Sequence, residues 1–401
     1  MSARDDPAAR PVVTLEPGRH KRAQGGHPWV YSNEVRMDAA AKALPRGSLV
    51  TLKTADGRAL GVATFNPNTL VAARILDRDA GRAIDADFFA ARLGHALALR
   101  RRLYDAPFYR LVHAEADDLP GMVVDRFGDV AVAQLNTAGM AALEEPIVAA
   151  LGTVLTPATI VLRNDATGRA AEALEDVARI AAGTIDGPVP LEENGGQFLA
   201  DVLGGQKTGW FYDQRENRRF VAALARGGRV LDAYCYSGGF AIACAAKGAD
   251  TVLGLDRSEP ALGLAETAAR RNGVAEQCRF VRAEIFAELA RLDADGDRFD
   301  VVIADPPAFV KSRKDLGAGL RGYRKLARLA ARLVAPGGVM FIASCSHNVT
   351  PDDFVESVRR GLGDGERTGR IILSAGAAPD HPVHPGLPES AYLKALALAL
   401  D

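Results

Sequence analysis

The sequence predicts an α/β protein: a Rossmann-like, doubly wound sheet of seven strands at residues 189–401, preceded by a small β domain at residues 1–80 and a small α+β domain at residues 81–188. Three observations carry this reading. Beyond residue 189, aliphatic runs alternate with helical segments that separate the first five strands, at a spacing suited to right-handed βαβ crossovers. The last two runs, Ile371–Ser374 and Tyr392–Ala399, are joined by a proline-rich loop with no helix, which predicts a hairpin with an antiparallel final strand. The first domain instead shows apolar/polar alternation and hairpin turns. A length of 401 residues accommodates three such domains.

In the first domain, Gly47–Thr54 alternates apolar and polar residues, Asp56-Gly57 is a hairpin turn and Ala59–Phe65 resumes a strand. Leu70–Leu76 follows the turn-like Asn66-Pro67-Asn68. In the second domain, Asp87–Tyr104 has helical periodicity and ends in Arg100-Arg101-Arg102. Met122–Asp125 and Val130–Leu135 read as hairpin strands around Phe127-Gly128-Asp129, Ala138–Leu151 as a helix and Thr159–Leu162 as a further strand. The first five strands of the third domain are Arg229–Ala233, Thr251–Leu255, Arg279–Val281, Asp300–Ala304 and Val339–Ser344. No internal repeat is visible.

Composition narrows the classes. With 48% hydrophobic and 25% charged residues, 40 Gly and 21 Pro, the chain is neither disordered nor collagen-like. Its cysteines, Cys235, Cys244, Cys278 and Cys345, have no C-x-x-C spacing, which excludes a zinc ribbon and argues against a disulfide framework. No metal site is predicted. Met1–Arg10 is polar, without the apolar core of a secretory signal, and no run approaches the roughly 18–20 apolar residues of a membrane span. The expectation is a cytoplasmic protein with no membrane partner.

In open α/β sheets, ligands bind beyond the carboxyl ends of the strands, at the switch point after the first one. Here that place is Val230–Phe240, containing Asp232, Tyr234, Ser237, Gly238 and Gly239. It lacks the G-x-G-x-x-G that lets backbone approach a pyrophosphate, and an acidic strand end suits a ligand without phosphates. The second strand ends in Asp256, 24 residues after Asp232, where a carboxylate can accept from both ribose hydroxyls. Adenosyl ribose plus a cationic tail describes S-adenosylmethionine. Helix capping is the plain alternative for either aspartate alone. Glu284, after the third strand, is a weaker candidate for the adenine edge.

The fourth strand leads into Asp305-Pro306-Pro307-Ala308-Phe309. Two prolines fix φ and hold a rigid loop in which Asp305 and the Pro306 carbonyl face a planar base. The motif resembles the (Asp/Asn)-Pro-Pro-aromatic signature of methyltransferases acting on nucleobases or amide nitrogens, and alone it favours methylation of a nitrogen. Cys345 changes the reading, because it lies just beyond the fifth strand, at the same sheet edge as Asp305. C5 of cytosine is too weak a nucleophile to take a sulfonium methyl unaided, whereas thiolate addition at C6 gives C5 carbanion character. Asp305 then holds the N3/N4 edge and protonates N3. The other three cysteines read as small hydrophobes, and His347 has no assigned role.

At this point the chain resembles the bacterial large-subunit ribosomal RNA cytosine-C5 methyltransferase I family, nearly end to end. The matching stretches are Gly26–Ser32, Glu115–Gly128, Lys207–Arg215, Asp305–Phe309, Gly322–Lys325, Ser344–Ser346 and Asp380–Val383. The resemblance implies a PUA-type RNA-binding domain, a central α+β domain and a class I methyltransferase domain, with Cys345 as nucleophile. It further implies that Lys207–Arg215 closes over S-adenosylmethionine, with Gln214 and Arg215 near its carboxylate. Ala283-Glu284 stands where the family usually has Asp, a departure at the position of the adenine contact.

The formal net charge of −1 conceals an asymmetry. Residues 1–110 hold 18 Lys+Arg against 11 Asp+Glu, a balance of +7, and the remainder is at −8. Lys311–Arg332 holds eight basic residues against Asp315. The loop Lys311–Gly322, with Lys311, Arg313, Lys314 and Arg321, followed by Arg324, is the expected phosphate footprint, and Phe309 and Tyr323 are expected to stack on an extruded base. The partner expected is ribosomal RNA, and a homodimer is left open. Two other readings stand: a guanine N-methyltransferase using the Asp-Pro-Pro loop without a covalent step, and a non-catalytic RNA-binding or assembly factor.

Overall fold

The computed structural model describes residues 5–401, so the first four residues of the expected 1–80 domain, and of the polar N-terminus, lie outside the described residues. The chain divides into two compact units. One comprises residues up to Val189 with Asp201–Trp210 and Pro379–Ser390; the other comprises Pro190–Ala200, Phe211–Ala378 and Ala391–Asp401.

The first unit begins with strands β1 (Val12–Thr14), β2 (Trp29–Tyr31), β3 (Ser48–Lys53), β4 (Ala59–Phe65) and β5 (Val71–Asp77), in spatial order β1-β3-β4-β5-β2. Short helices α1 (Lys21–Gln24) and α2 (Ala39–Ala43) follow the first two strands. Val50, Leu52, Val62, Ala63 and Phe65 are buried around the expected β3–β4 hairpin. β1 and β2 escaped the sequence pattern because three residues are too few for alternation to show.

Helix α3 (Ala86–Leu103) starts where the Asp85 carboxylate accepts from the Phe88 N–H at 3.0 Å, and it buries Phe88, Phe89, Leu93 and Leu97. A second sheet, β6 (Phe108–His113), β7 (Met122–Phe127), β8 (Val130–Leu135), β9 (Thr159–Asn164) and β10 (Val177–Ala182), has order β10-β9-β8-β7-β6. The helix expected at Ala138–Leu151 is in fact two, α4 (Ala138–Ala142) and α5 (Glu144–Leu155). Pro146 explains the break, since its ring would clash with the Ala142 carbonyl of a continuous helix, while the first turn of a new one tolerates it.

A buried polar network ties Asp201–Trp210 and Pro379–Ser390 into this unit. Arg110 forks onto Asp125 at 2.8 Å through both bonds, and Thr208 donates to the same carboxylate. The Arg110 N–H donates to the Asp380 carboxylate at 3.0 Å, and Arg100 bridges Asp117 and the Asp380 carbonyl.

The second unit has a hairpin, β11 (Val189–Glu193) and β12 (Gly196–Ala200), then helix α6 (Arg215–Ala223). Its main sheet follows as β13 (Arg229–Ala233), α7 (Gly239–Ala246), β14 (Thr251–Asp256), α8 (Glu259–Arg271), β15 (Cys278–Arg282), α9 (Ile285–Ala294), β16 (Phe299–Ala304), α10 (Leu316–Leu333), β17 (Val334–Ser344), α11 (Pro351–Asp364), β18 (Gly369–Ala375) and β19 (Lys394–Leu400). The seven strands lie in order β15-β14-β13-β16-β17-β19-β18. Strands β13 to β17 are mutually parallel, and β19 runs antiparallel to both neighbours, as the proline-rich connection predicted. The central strands are covered on both faces, which is why they read as unbroken apolar runs. Reversal of strand order beside β13 puts the switch point at the carboxyl ends of β13 and β16, where Asp232 and Asp305 stand.

Candidate functional site

The cofactor half grows from the end of β13. Three residues in the next five take left-handed φ, Tyr234 at 68°, Tyr236 at 49° and Gly238 at 82°, so the chain winds tightly into α7. Only at Gly238 is such a φ free of cost, and a Cβ there would press on Ala265 and Ile242 at 3.0 Å. Asp232 is buried; its Oδ2 accepts from the Ala241 N–H at 2.9 Å, while its Oδ1 is buried with no protein partner. The buried Ser237 hydroxyl is in the same position. Burial, with Asp305 and Asp256 nearby adding negative charge, raises the Asp232 carboxyl to about 7; the Ala241 N–H and Arg218 act in the opposite sense. Asp256 accepts from the Tyr236 N–H at 3.0 Å and the Ser258 N–H at 2.8 Å.

Glu284 is exposed at the start of α9 and pairs with Arg257 at 3.6 Å. Gln214 and Arg215 are buried where a 3-10 turn enters α6. The Gln214 side chain accepts from Asn217 at 2.6 Å, and the Arg215 guanidinium lies 3.6 Å from Glu193 and over the Tyr212 ring. Arg218 was not among the expected residues. It is buried, bonds Glu193 at 2.6 Å and is one of the charges acting on Asp232. Its signal was an inverted pattern, in which α6 buries Arg215, Asn217 and Arg218.

The substrate half is built on β16, β17 and α10. β16 and β17 are in parallel register, Ala304 opposite Ile342, so Asp305 and Cys345 follow neighbouring strands off the same edge. Pro306 is buried and Pro307 exposed in the connecting loop. Cys345 is half-buried between two fully buried serines. The Tyr323 hydroxyl is 2.8 Å from both Ser344 Oγ and Ser346 Oγ, and Ser346 Oγ also accepts from the Val310 N–H at 3.2 Å. One tyrosine and two serines therefore fasten the Asp305–Val310 loop to the Cys345 loop. Behind them, the buried Lys394 ammonium donates to the carbonyls of Ser346 at 2.6 Å and Tyr392 at 2.8 Å. His347 is exposed and stacks on Tyr392 with ring centres 5.2 Å apart.

Three expectations need correction. Tyr323 was expected to stack on a base, but its ring is wholly buried, packed between Phe309 at 4.8 Å and Phe354 at 5.4 Å, and it serves as a support. Phe309 alone of the pair keeps partial exposure. The basic segment is not a loop up to Gly322, because a 3-10 turn at Arg313–Asp315 leads into α10 at Leu316, capped by reciprocal Ser312–Asp315 bonds. Arg324 is engaged with Asp364 at 2.6 Å, whereas Lys311, Arg313, Lys314 and Arg321 are exposed and make no ion pair among the described residues.

A 440 Å³ cavity lined by Arg229, Thr251, Gln277 and Cys278 lies at the amino ends of the strands and holds none of these residues. Among the described residues there is no group of three or more His, Cys, Asp or Glu able to hold a metal, and no helix is long and apolar enough to cross a membrane.

Residues 172–396 match the S-adenosylmethionine-dependent methyltransferase family and residues 13–78 the PUA-like domain family. The chain belongs to the S-adenosylmethionine-dependent methyltransferases. Among curated relatives of this methyltransferase, the "Ribosomal RNA large subunit methyltransferase I" of Aeromonas hydrophila is 35% identical over 390 residues, covering 96% of this chain and 98% of the relative. The protein of the same name from Shewanella denitrificans is 34% identical with the same coverage. In three dimensions the methyltransferase resembles SMU.776 in complex with SAH, at a TM-score of 0.82 and 19% identity, covering 97% of this chain and 100% of the other. An S-adenosylmethionine-dependent methyltransferase structure from Streptococcus mutans gives 0.81 at 19% identity, with the same coverage.

The methyltransferase's own residues fit S-adenosylmethionine. The unpartnered Asp232 oxygen and Ser237 hydroxyl offer polar atoms that the protein leaves unsatisfied, and a carboxyl raised by burial is one that a cationic ligand would ionise.

Proposed function

We propose that this methyltransferase forms 5-methylcytosine in large-subunit ribosomal RNA, in the cytoplasm, with Cys345 as covalent nucleophile. One observation carries the reading: a half-buried thiol and the Asp305-Pro306-Pro307 loop are fastened to each other through Ser346, Tyr323 and the Val310 N–H, at the carboxyl ends of adjacent strands. A nitrogen methyltransferase has no chemical need of a thiol there. The relatives' name supports ribosomal RNA as the substrate.

In this reading Asp232, Tyr234, Ser237, Gly238, Gly239 and Asp256 hold S-adenosylmethionine, with Gln214 and Arg215 at its carboxylate and Glu284 at the outer edge. The cofactor supplies an electrophilic methyl on a sulfonium sulfur. The Cys345 thiolate adds to C6 of the base, and the electron pair of the C5–C6 double bond moves to C5, which takes the methyl. The C5 proton then passes to water and the Sγ–C6 bond breaks, restoring the double bond and the thiolate. Asp305 and the Pro306 carbonyl hold the polar edge of the base, Pro307 and Phe309 bound its face, and Lys311, Arg313, Lys314 and Arg321 contact phosphate.

The test is methyl transfer to ribosomal RNA from a strain lacking the gene, read by mass spectrometry of nucleosides. Wild type is expected to yield 5-methylcytosine, and Cys345→Ala to lose at least a thousandfold in rate while binding the cofactor normally. Undiminished transfer by Cys345→Ala, or methyl on guanine, would overturn the covalent cytosine reading.

A further inference from the structure

We propose that Lys394 is a positioning residue for Cys345, its ammonium favouring the thiolate over the thiol. The inference rests on the reading of Cys345 as nucleophile and extends it to how that nucleophile is made ready.

Lys394 breaks the pattern of its own strand. β19 reads Lys-Ala-Leu-Ala-Leu-Ala-Leu, and Lys394 is 8% exposed at the strand's first position. A lysine buried to this degree is rare unless something anionic or strongly polar receives it. Antiparallel register sets Lys394 opposite Ser344, one residue before Cys345, and Nζ donates to the carbonyl of Ser346, one residue after it. The cation is thus bound to the short backbone stretch that carries the thiol. Two carbonyls take two of its three N–H donors, and no carboxylate among the described residues pairs with it.

The energetics point the same way. Burial lowers the Lys394 ammonium to about 8, and the charge that acts against this loss is Cys345. Coupling between two sites is reciprocal, so whatever the thiolate does to hold the proton on Lys394, the ammonium does to release the proton from Cys345. Other titratable groups lie nearby. Tyr323 from α10 is kept neutral by burial, Asp305 follows the neighbouring strand, His347 stacks on Tyr392, and Tyr392 donates to Asp213. His347, two residues after Cys345, can also carry positive charge, so the test must separate it from Lys394.

A lysine that only braced carbonyls would leave the thiol's titration unchanged, and that decides the experiment. Iodoacetamide alkylation of Cys345 in the full chain is followed against pH at the peptide level by mass spectrometry. Burial raises Cys278 to about 11 and pushes Cys235 and Cys244 well up, so they are slow to react. Wild-type Cys345 is expected to titrate below the ordinary thiol value of about 8.5. Lys394→Met should raise its midpoint by a unit or more, with about tenfold slower alkylation at pH 7. Lys394→Arg should keep the low midpoint, and His347→Gln should leave it unmoved.

A wild-type midpoint at or above 8.5 overturns the proposal, as does an unchanged midpoint in Lys394→Met or a shift produced by His347→Gln instead. If Lys394→Met fails to fold, judged by cofactor binding, the wild-type, Arg and Gln curves still decide. Failure of the covalent reading shows elsewhere, as methyl transfer surviving Cys345→Ala, and leaves the alkylation result interpretable.

Discussion

At the residue scale, Asp232 makes the clearest trade between stability and binding. Its carboxyl titrates near 7 in the folded protein against 3.8 for the unperturbed group, because burial penalises the charge. Between those values the native state binds the proton that the unfolded state has lost, so stability falls as pH rises through this window. In the ligand-free protein, Asp232→Asn is expected to match wild type at pH 4 and exceed it by up to about 4 kcal/mol at pH 8, measured by urea unfolding. The same variant should bind S-adenosylmethionine at least tenfold more weakly by calorimetry. Equal stability of the two proteins at pH 8 would show that this carboxyl is not the source of the pH dependence. Legibility in the sequence follows a similar division. Asp232, Asp305 and Cys345 stand at strand ends, where an apolar run stops and chemistry starts, and could be read from one dimension. Arg218 and Lys394 are marked locally only as charges out of pattern in their own elements, and Tyr323 not even so. All three acquire their parts through contacts with residues more than twenty positions away in the chain.

At the element scale, α10 is shaped by what lies on it. A Cβ on Gly319 would come 2.2 Å from Val310 and 3.0 Å from the Phe309 carbonyl oxygen, and one on Gly322 would come 3.0 Å from the Phe309 ring. The glycines let the Asp305–Val310 loop settle on the helix. Helix propensity alone rewards Gly→Ala by about 1 kcal/mol. Gly263 in α8 has open space around it, so Gly263→Ala is expected to raise stability by roughly 0.5–1 kcal/mol. Gly319→Ala should instead lower stability and methyl transfer, compared by thermal melts and single-turnover assays; equal gains at both sites would refute close packing of the loop. The same contrast explains which elements were visible beforehand. Parallel strands covered on both faces announce themselves as apolar runs. β10 lies at a sheet edge with all six of its residues exposed or half-buried, and Arg179 interrupts its short run of small apolar residues.

For the whole molecule, the near-neutral total was the least informative number in the sequence. The structure leaves Lys311, Arg313, Lys314 and Arg321 without ion pairs among the described residues, while Arg324 is taken by Asp364. RNA affinity measured against salt should therefore lose about 0.7–0.9 of log–log slope for each of these four that contacts phosphate and is changed to Ala. Arg324→Ala should leave the slope intact. A slope unaltered in the fourfold variant would place the RNA elsewhere. Architecture was legible as a succession of strands and helices, but its division into bodies was not, because two short segments leave the methyltransferase sheet's unit and return to it. Asp201–Trp210 and Pro379–Ser390 are anchored in the first unit by Asp125, Arg110 and Arg100. The chain passes from one unit to the other five times. Such interlacing forbids cut-and-paste inheritance: a fragment starting at Pro190 would carry both segments without the side chains that bury them, so the two units can be lost or exchanged only together.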